Sequence, residues 1–171
     1  ASADITGLIG QYAHGNEPSH HIAYMYAYAG QQWKTAEKVR YVMDEFYTDK
    51  PDGVIGNEDC GQMSAWYVLS SMGFYQENPS DGTLVFGSPR FDKMTVKVRG
   101  GNTLTIEARG NSAKNIYIQK VLRNGKPYTK SYITYNDLLE GGTLTFVMGA
   151  KPNKKFGAAI ESRPQAVNSI L

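Results

Sequence analysis

The chain has 171 residues, enough for one substantial domain or two small ones. Its 18 Lys and Arg nearly balance 16 Asp and Glu, and with no basic stripe a nucleic-acid partner is excluded. A lone cysteine, Cys60, excludes an internal disulfide framework and a Cys-based zinc site, and no apolar run approaches a membrane span.

The opening Ala1-Ser2-Ala3-Asp4 has neither an initiator Met nor a charged-then-apolar signal pattern. It reads as a cut inside a longer protein. The 12 Tyr suit a β-rich core first, and also a sugar site.

In chain order, the first half reads helical. Gly15-Asn16-Glu17-Pro18-Ser19-His20-His21 is a loop leading into a helix, with Ser19 as N-cap and Gly30 as stop. Ile22, Met25, Tyr26 and Ala29 are expected on its buried face. Thr35 is expected to cap a second helix, half exposed, with Val39, Val42, Met43 and Phe46 inward. Lys34, Lys38, Arg40 and Glu45 populate its other faces. A turn-rich loop from Thr48 to Asp59 follows. The next helix, Gly61 to Met72, shows almost no polar face and should be buried, ending at Gly73.

Near Asn78-Pro79 the pattern switches to short β segments. Leu84-Val85-Phe86, Met94/Val96/Val98, Leu104/Ile106, Ile116/Ile118 and Leu144/Phe146/Met148 are the apolar signals. Asn124-Gly125 marks a two-residue hairpin. Ile133 to Leu139 resembles a crossover with a short helical turn. The fold class is therefore α+β: a helical part over 1–78 and an antiparallel, sandwich-like β part over 79–171.

Two loops hold the candidate chemistry. Asn16-Glu17 and Asn57-Glu58-Asp59 set carboxylates and amides ahead of helix N-termini, where free N–H groups also point outward. Each carboxylate could instead simply complement a helix dipole. His20-His21 is no metalloprotease pattern, and adjacent helical residues diverge by about 100°. The spacing of Asp49, Asp52, Asn57 and Asp59 rejects an EF-hand. P-loop, dinucleotide and G-x-S-x-G signatures are absent. Residue types alone fit glycosidase, calcium-binding or sugar-binding roles without choosing among them.

Gly15-Asn16-Glu17-Pro18-Ser19-His20-His21 and Gly56-Asn57-Glu58-Asp59-Cys60-Gly61-Gln62-Met63-Ser64-Ala65-Trp66 closely resemble the C-terminal part of the family 92 glycoside hydrolases. Gly87-Ser88-Pro89, Asn124-Gly125-Lys126-Pro127-Tyr128, Gly141-Gly142-Thr143-Leu144, Met148-Gly149 and Pro152-Asn153 look like that family too. These are bacterial, calcium-dependent exo-α-mannosidases that invert at the anomeric carbon.

The resemblance implies the last helices of an (α/α)6 barrel followed by a C-terminal β region. It implies Asp59 as general base and Asn57 as a water-orienting amide where relatives carry an assisting Asp. Glu58 is the rival carboxylate. Asn16 and Glu17 fall on the calcium-contacting loop, and His20 is a candidate substrate contact there. The family's general acid is expected outside this chain, in the remainder of the parent polypeptide, which leaves the isolated chain inactive. The implied substrate is a mannose-containing glycan, as in N-glycan degradation. The implied compartment is the periplasm, the cell surface or the exterior of a bacterium. The alternatives are a non-catalytic carbohydrate-binding or scaffolding module, or a relative acting on another α-linked sugar.

Overall fold

The computed structural model describes residues 8–9, 12–13, 21–46, 62–78 and 81–165. Two short strands, β1 (Leu8–Ile9) and β2 (Tyr12–Ala13), pair antiparallel. A 3-10 helix (Ile22–Ala29) and two α-helices, α1 (Gln32–Phe46) and α2 (Gln62–Met72), precede the main sheets. One sheet has three strands, β3 (Phe74–Asn78), β4 (Thr83–Phe86) and β9 (Tyr132–Thr134). The other runs β5-β6-β10-β7-β8, formed by Lys93–Lys97, Thr103–Arg109, Gly142–Gly149, Tyr117–Arg123 and Lys126–Tyr128. Between β9 and β10 lies a short helix, α3 (Tyr135–Leu139).

The three-stranded sheet is the middle of three layers. Successive strand residues point to opposite faces. Phe74, Leu84, Phe86 and Ile133 therefore pack with Leu104, Ile106, Val121, Leu144 and Phe146 of the larger sheet. Tyr75 and Val85 face the other way and pack with Tyr24, Ala27, Val39, Val42, Met43 and Trp66 of the helices. Both sides of a small sheet are buried, so β3 and β4 tie the helical part to the β part.

The expected strands form, with one topological surprise. β10 lies between β6 and β7 and pairs parallel to β6, from Gly142 opposite Leu104 to Val147 opposite Arg109. Its antiparallel register with β7 shifts between Val147 and Met148. That shift brings Ile118 and Val121, three positions apart, to the same core face. Asn124 and Gly125 sit at φ 51° and 77° between paired Arg123 and Lys126. Positive φ at both central residues is what a type I′ hairpin requires.

The helices depart further from expectation. Residues 22–29 form a 3-10 helix rather than an α-helix. With three residues per turn, every third side chain is stacked. Tyr24, Ala27 and Gly30 make the buried ridge, while Ile22 and Met25 point outward, 44% and 55% exposed. The face read as buried from a 3.6 period is thus mostly the outer one. Gly30 ends the helix in the left-handed region as expected. Helix α1 begins at Gln32, three residues ahead of Thr35, and Thr35 is buried within it. Val39, Val42 and Met43 are inward as expected. Arg40, read as a surface residue, is buried. Helix α2 is not buried throughout. Ser70 and Ser71 are inside, whereas Ala65 is exposed and Val68 is 50% exposed. Its small hydroxyls find partners inward, so apolarity alone misjudged its faces.

Candidate functional site

Asn16, Glu17, His20, Asn57, Glu58 and Asp59 lie outside the described residues. Their described flanks are informative. Residues 14–20 lead into His21, the N-cap position of the 3-10 helix. Residues 47–61 join α1 to α2, and Asp59 precedes Gln62, the first residue of α2, by three positions.

Both elements rest on one aromatic cluster at these entrances. The His21 ring lies 5.7 Å from that of Tyr75. Tyr24 stacks on Tyr75 at 5.4 Å, and Trp66 meets Tyr24 edge-on at 6.4 Å. Trp66 and Tyr24 are fully buried, and the Tyr24 hydroxyl shares a 2.6 Å hydrogen bond with Ser70 Oγ. Of the histidine pair, His21 is thus a packed one. Its Nδ1 is buried without a hydrogen-bond partner among the described residues. Stacked aromatic pairs add about 0.5–1.5 kcal/mol each beyond area burial, so this cluster holds the 3-10 helix, α2 and β3 together.

A second set of contacts holds α1. Gln32 donates through Nε2 to the carbonyls of Phe86 (3.2 Å) and Gly87 (2.9 Å). Arg40 donates to Ser88 Oγ (3.2 Å), Pro89 O (2.5 Å), Asn111 Oδ1 (2.7 Å) and Ser112 O (3.1 Å). Burial lowers the Arg40 pKa, the charge of Asp44 works against this, and that of Arg90 adds to it. Arg90 pairs in turn with Asp44. A composition-level reading misses Gln32 and Arg40, because both look like ordinary solvent-facing helix residues. Their signal is the rigid Gly87-Ser88-Pro89 segment that receives them.

Elsewhere, Tyr28 donates to Glu77 Oε2 at 3.0 Å. Its phenol is pushed up by burial first, then by the charge of Glu77 and this hydrogen bond, with Asp81 adding. Among the described residues no group of three or more His, Cys, Asp or Glu is arranged to hold a metal. No helix among them is long and apolar enough to cross a membrane. The candidate chemical groups all lie outside the described residues.

Comparison with known proteins agrees with this organisation. Residues 1–150 match the model of the glycosyl hydrolase family 92 catalytic domain. A family GH92 alpha-mannosidase from Bacteroides thetaiotaomicron, solved with mannoimidazole, superposes with a TM-score of 0.93 at 44% identity, over 98% of this chain and 22% of that one. A family GH92 inverting mannosidase from the same organism gives a TM-score of 0.85 at 43% identity, over 91% of this chain and 21% of that one. An uncharacterized secreted glycosidase of Arthroderma benhamiae is 31% identical over 158 residues, which is 91% of this chain and 20% of that protein. The chain spans about a fifth of the length of these relatives. With a catalytic-domain match over most of its length and the helical-then-β architecture of solved members, the chain belongs to glycosyl hydrolase family 92.

Proposed function

We propose that this chain is the C-terminal part of the catalytic region of a calcium-dependent, inverting exo-α-mannosidase. The observation that supports this most is the 44% identity to a family alpha-mannosidase over 98% of the chain. On this reading Asp59 is the general base. Its carboxylate takes the proton of a water as that water attacks the anomeric carbon, from the face opposite the leaving oxygen. Asn57 orients the water, because an amide can hold a hydrogen bond but cannot take the proton at neutral pH. The general acid comes from the parent polypeptide outside this chain. Inverting pairs sit roughly 6.5–9.5 Å apart to admit the water.

Asn16 and Glu17 offer an amide oxygen and a carboxylate, hard donors of the kind calcium takes. They would hold the ion together with groups from the rest of the parent. A calcium ion held there would supply positive charge for binding the hydroxyls of the sugar. Glu17 would supply the charge and Asn16 a neutral oxygen, and His20 is the proposed substrate contact. The aromatic cluster of His21, Tyr24, Trp66 and Tyr75 packs the 3-10 helix, α2 and β3 together. The substrate class is a glycan with terminal α-linked mannose. The secreted glycosidase of Arthroderma benhamiae supports action outside the cytoplasm.

The test is proton NMR of the parent protein acting on an aryl α-mannoside, with and without a chelator. β-Mannose should appear first and mutarotate later, and chelation should stop the reaction. α-Mannose as first product would refute inversion, and no hydrolysis of α-mannosides would refute the mannosidase reading. Chelator-resistant turnover would refute the calcium dependence.

A further inference from the structure

Val39, Val42 and Met43 turn one side of α1 into the core, so Glu37, Tyr41 and Asp44, at i, i+4 and i+7, share another face. That face borders an open cavity of about 450 Å³. The far wall is the 113–116 segment, and Lys38 and Arg40 complete the lining. The volume falls within the range of small-molecule sites.

Both walls are held in place. Ser112 Oγ accepts from Lys114 N (3.2 Å) and Asn115 N (2.9 Å), and Asn115 Nδ2 donates to Gly110 O (2.8 Å). Ser112 O accepts from Arg40 (3.1 Å), and Ile116 O accepts from Ser88 Oγ (2.6 Å). The charged groups are fixed as well. Asp44 pairs with Arg90. Glu37 accepts a hydrogen bond from Tyr117, whose phenol is pushed up by burial first, then by this bond and the Glu37 charge. Arg40 is buried and held by Ser88, Pro89, Asn111 and Ser112. The Tyr41 ring, by contrast, keeps 47% of its surface exposed.

Two carboxylates and two cations line the cavity, so their charges cancel and a strongly charged ligand gains little there. Carboxylate oxygens accept from hydroxyls, the Lys38 ammonium donates to hydroxyl oxygens, and the Tyr41 ring offers a flat apolar face. Hydroxyls around an edge and C–H groups on a ring face are the surfaces of a neutral sugar. We infer that this cavity binds a neutral hexose unit of a glycan, with Tyr41 as the platform under the ring and Glu37, Asp44 and Lys38 as partners of its hydroxyls. The proposed hydrolysis uses none of these residues, and only the choice of mannose as the sugar rests on that reading. Groups already fixed by the protein lose little freedom when the ligand arrives. A polymer held here is kept at high effective concentration around the enzyme, so the site should matter for long glycans and not for small substrates.

The experiment uses the full parent enzyme carrying Tyr41→Ala, Tyr41→Phe, Glu37→Ala or Glu45→Gln. Glu45 is exposed on α1 but lies outside the cavity lining, so its variant is the control. kcat/KM is measured on mannan and on a small aryl α-mannoside. Retardation of each variant is also measured in native gels that contain mannan, which reads binding without turnover. Tyr41→Ala and Glu37→Ala should each lose about tenfold in kcat/KM on mannan and in retardation affinity, and should keep wild-type kcat/KM on the aryl mannoside. Tyr41→Phe keeps the platform and should stay within about threefold of wild type on mannan. Glu45→Gln should match wild type throughout. Wild-type mannan kinetics and retardation in Tyr41→Ala would overturn the inference. So would an equal loss on the aryl mannoside, an equal loss in Glu45→Gln, or no retardation of the wild-type enzyme. If the parent hydrolyses neither substrate yet mannan retards it in a Tyr41-dependent way, the mannosidase reading falls and the inference stands.

Discussion

Replacing Phe146 by Ala should be the most damaging single truncation in the β part. The ring is fully buried on β10, with β6 on one side and β7 on the other. It meets Phe86 of the middle sheet edge-to-face, centroids 5.1 Å apart and planes at 88°. It also fills the space up to the backbone of Gly73, where an added Cβ would come within 2.8 Å of Phe146 Cε2. Phe→Ala in such sites costs about 3–5 kcal/mol. The walls here are strands paired on both sides, which cannot collapse inward, so the upper half of that range is expected. A domain of this size has a total stability of about 5–15 kcal/mol, so the variant loses about a quarter of it or more. The assay is urea unfolding followed by circular dichroism, for Phe146→Ala and for a double-mutant cycle with Phe146→Leu and Phe86→Leu. The cycle should return a coupling of about 0.5–1.5 kcal/mol for the aromatic pair. A loss below about 1.5 kcal/mol in Phe146→Ala, with no coupling in the cycle, would refute the three-layer packing argued above.

Other outcomes follow from the same reasoning. Glu17→Gln in the parent enzyme should weaken calcium affinity, since it removes a formal charge at constant size. Isothermal titration with calcium alone would read this, and unchanged affinity would make Glu17 a helix-start residue only. The isolated chain should show no mannosidase turnover, and measurable hydrolysis would overturn placement of the acid elsewhere. Alkaline stability should depend on Tyr128, whose phenol is pushed up to about 12, by burial first, then by the charge of Asp137 and by Tyr132, with Arg123 opposing. Because the folded form holds its proton more tightly than the unfolded chain, this stabilisation is complete below about pH 10 and lost as pH rises towards about 12. Tyr128→Phe should flatten that decline in urea titrations, at the cost of the 2.7 Å bond its hydroxyl donates to Tyr132 O. An undiminished alkaline slope in the variant would contradict the assignment.

Strands and turns were legible in the sequence where a local rule decides them. Alternation gave Leu104 and Ile106 inward on β6, and Asn124-Gly125 gave the hairpin because few residues tolerate positive φ. The parallel β6–β10 pairing was not legible, since strand order depends on contacts between residues nearly 40 positions apart. The 3-10 helix was misread because a 3.0 and a 3.6 period differ little over eight residues, yet they bury different sides. Arg40 and Gln32 were missed for a related reason. A polar helix residue is read as exposed unless its acceptors are known, and these acceptors are carbonyls and hydroxyls that lie far along the chain. The candidate catalytic and calcium residues rest only on long motifs that resemble a family, because loops that feed helices look alike whether they cap or catalyse.

The most direct test of the proposed mechanism is Asp59→Asn beside Glu58→Gln in the parent enzyme, with turnover and substrate affinity measured on the same α-mannoside. A positioned base contributes about 10²–10⁴-fold. Asp59→Asn should therefore lose turnover by that factor while binding is kept, and stability should change little because the two side chains are nearly equal in size. Glu58→Gln should retain most of its activity. A dead Glu58→Gln with a near-normal Asp59→Asn would reverse the two roles, and full activity in both would show the acidic loop to be structural.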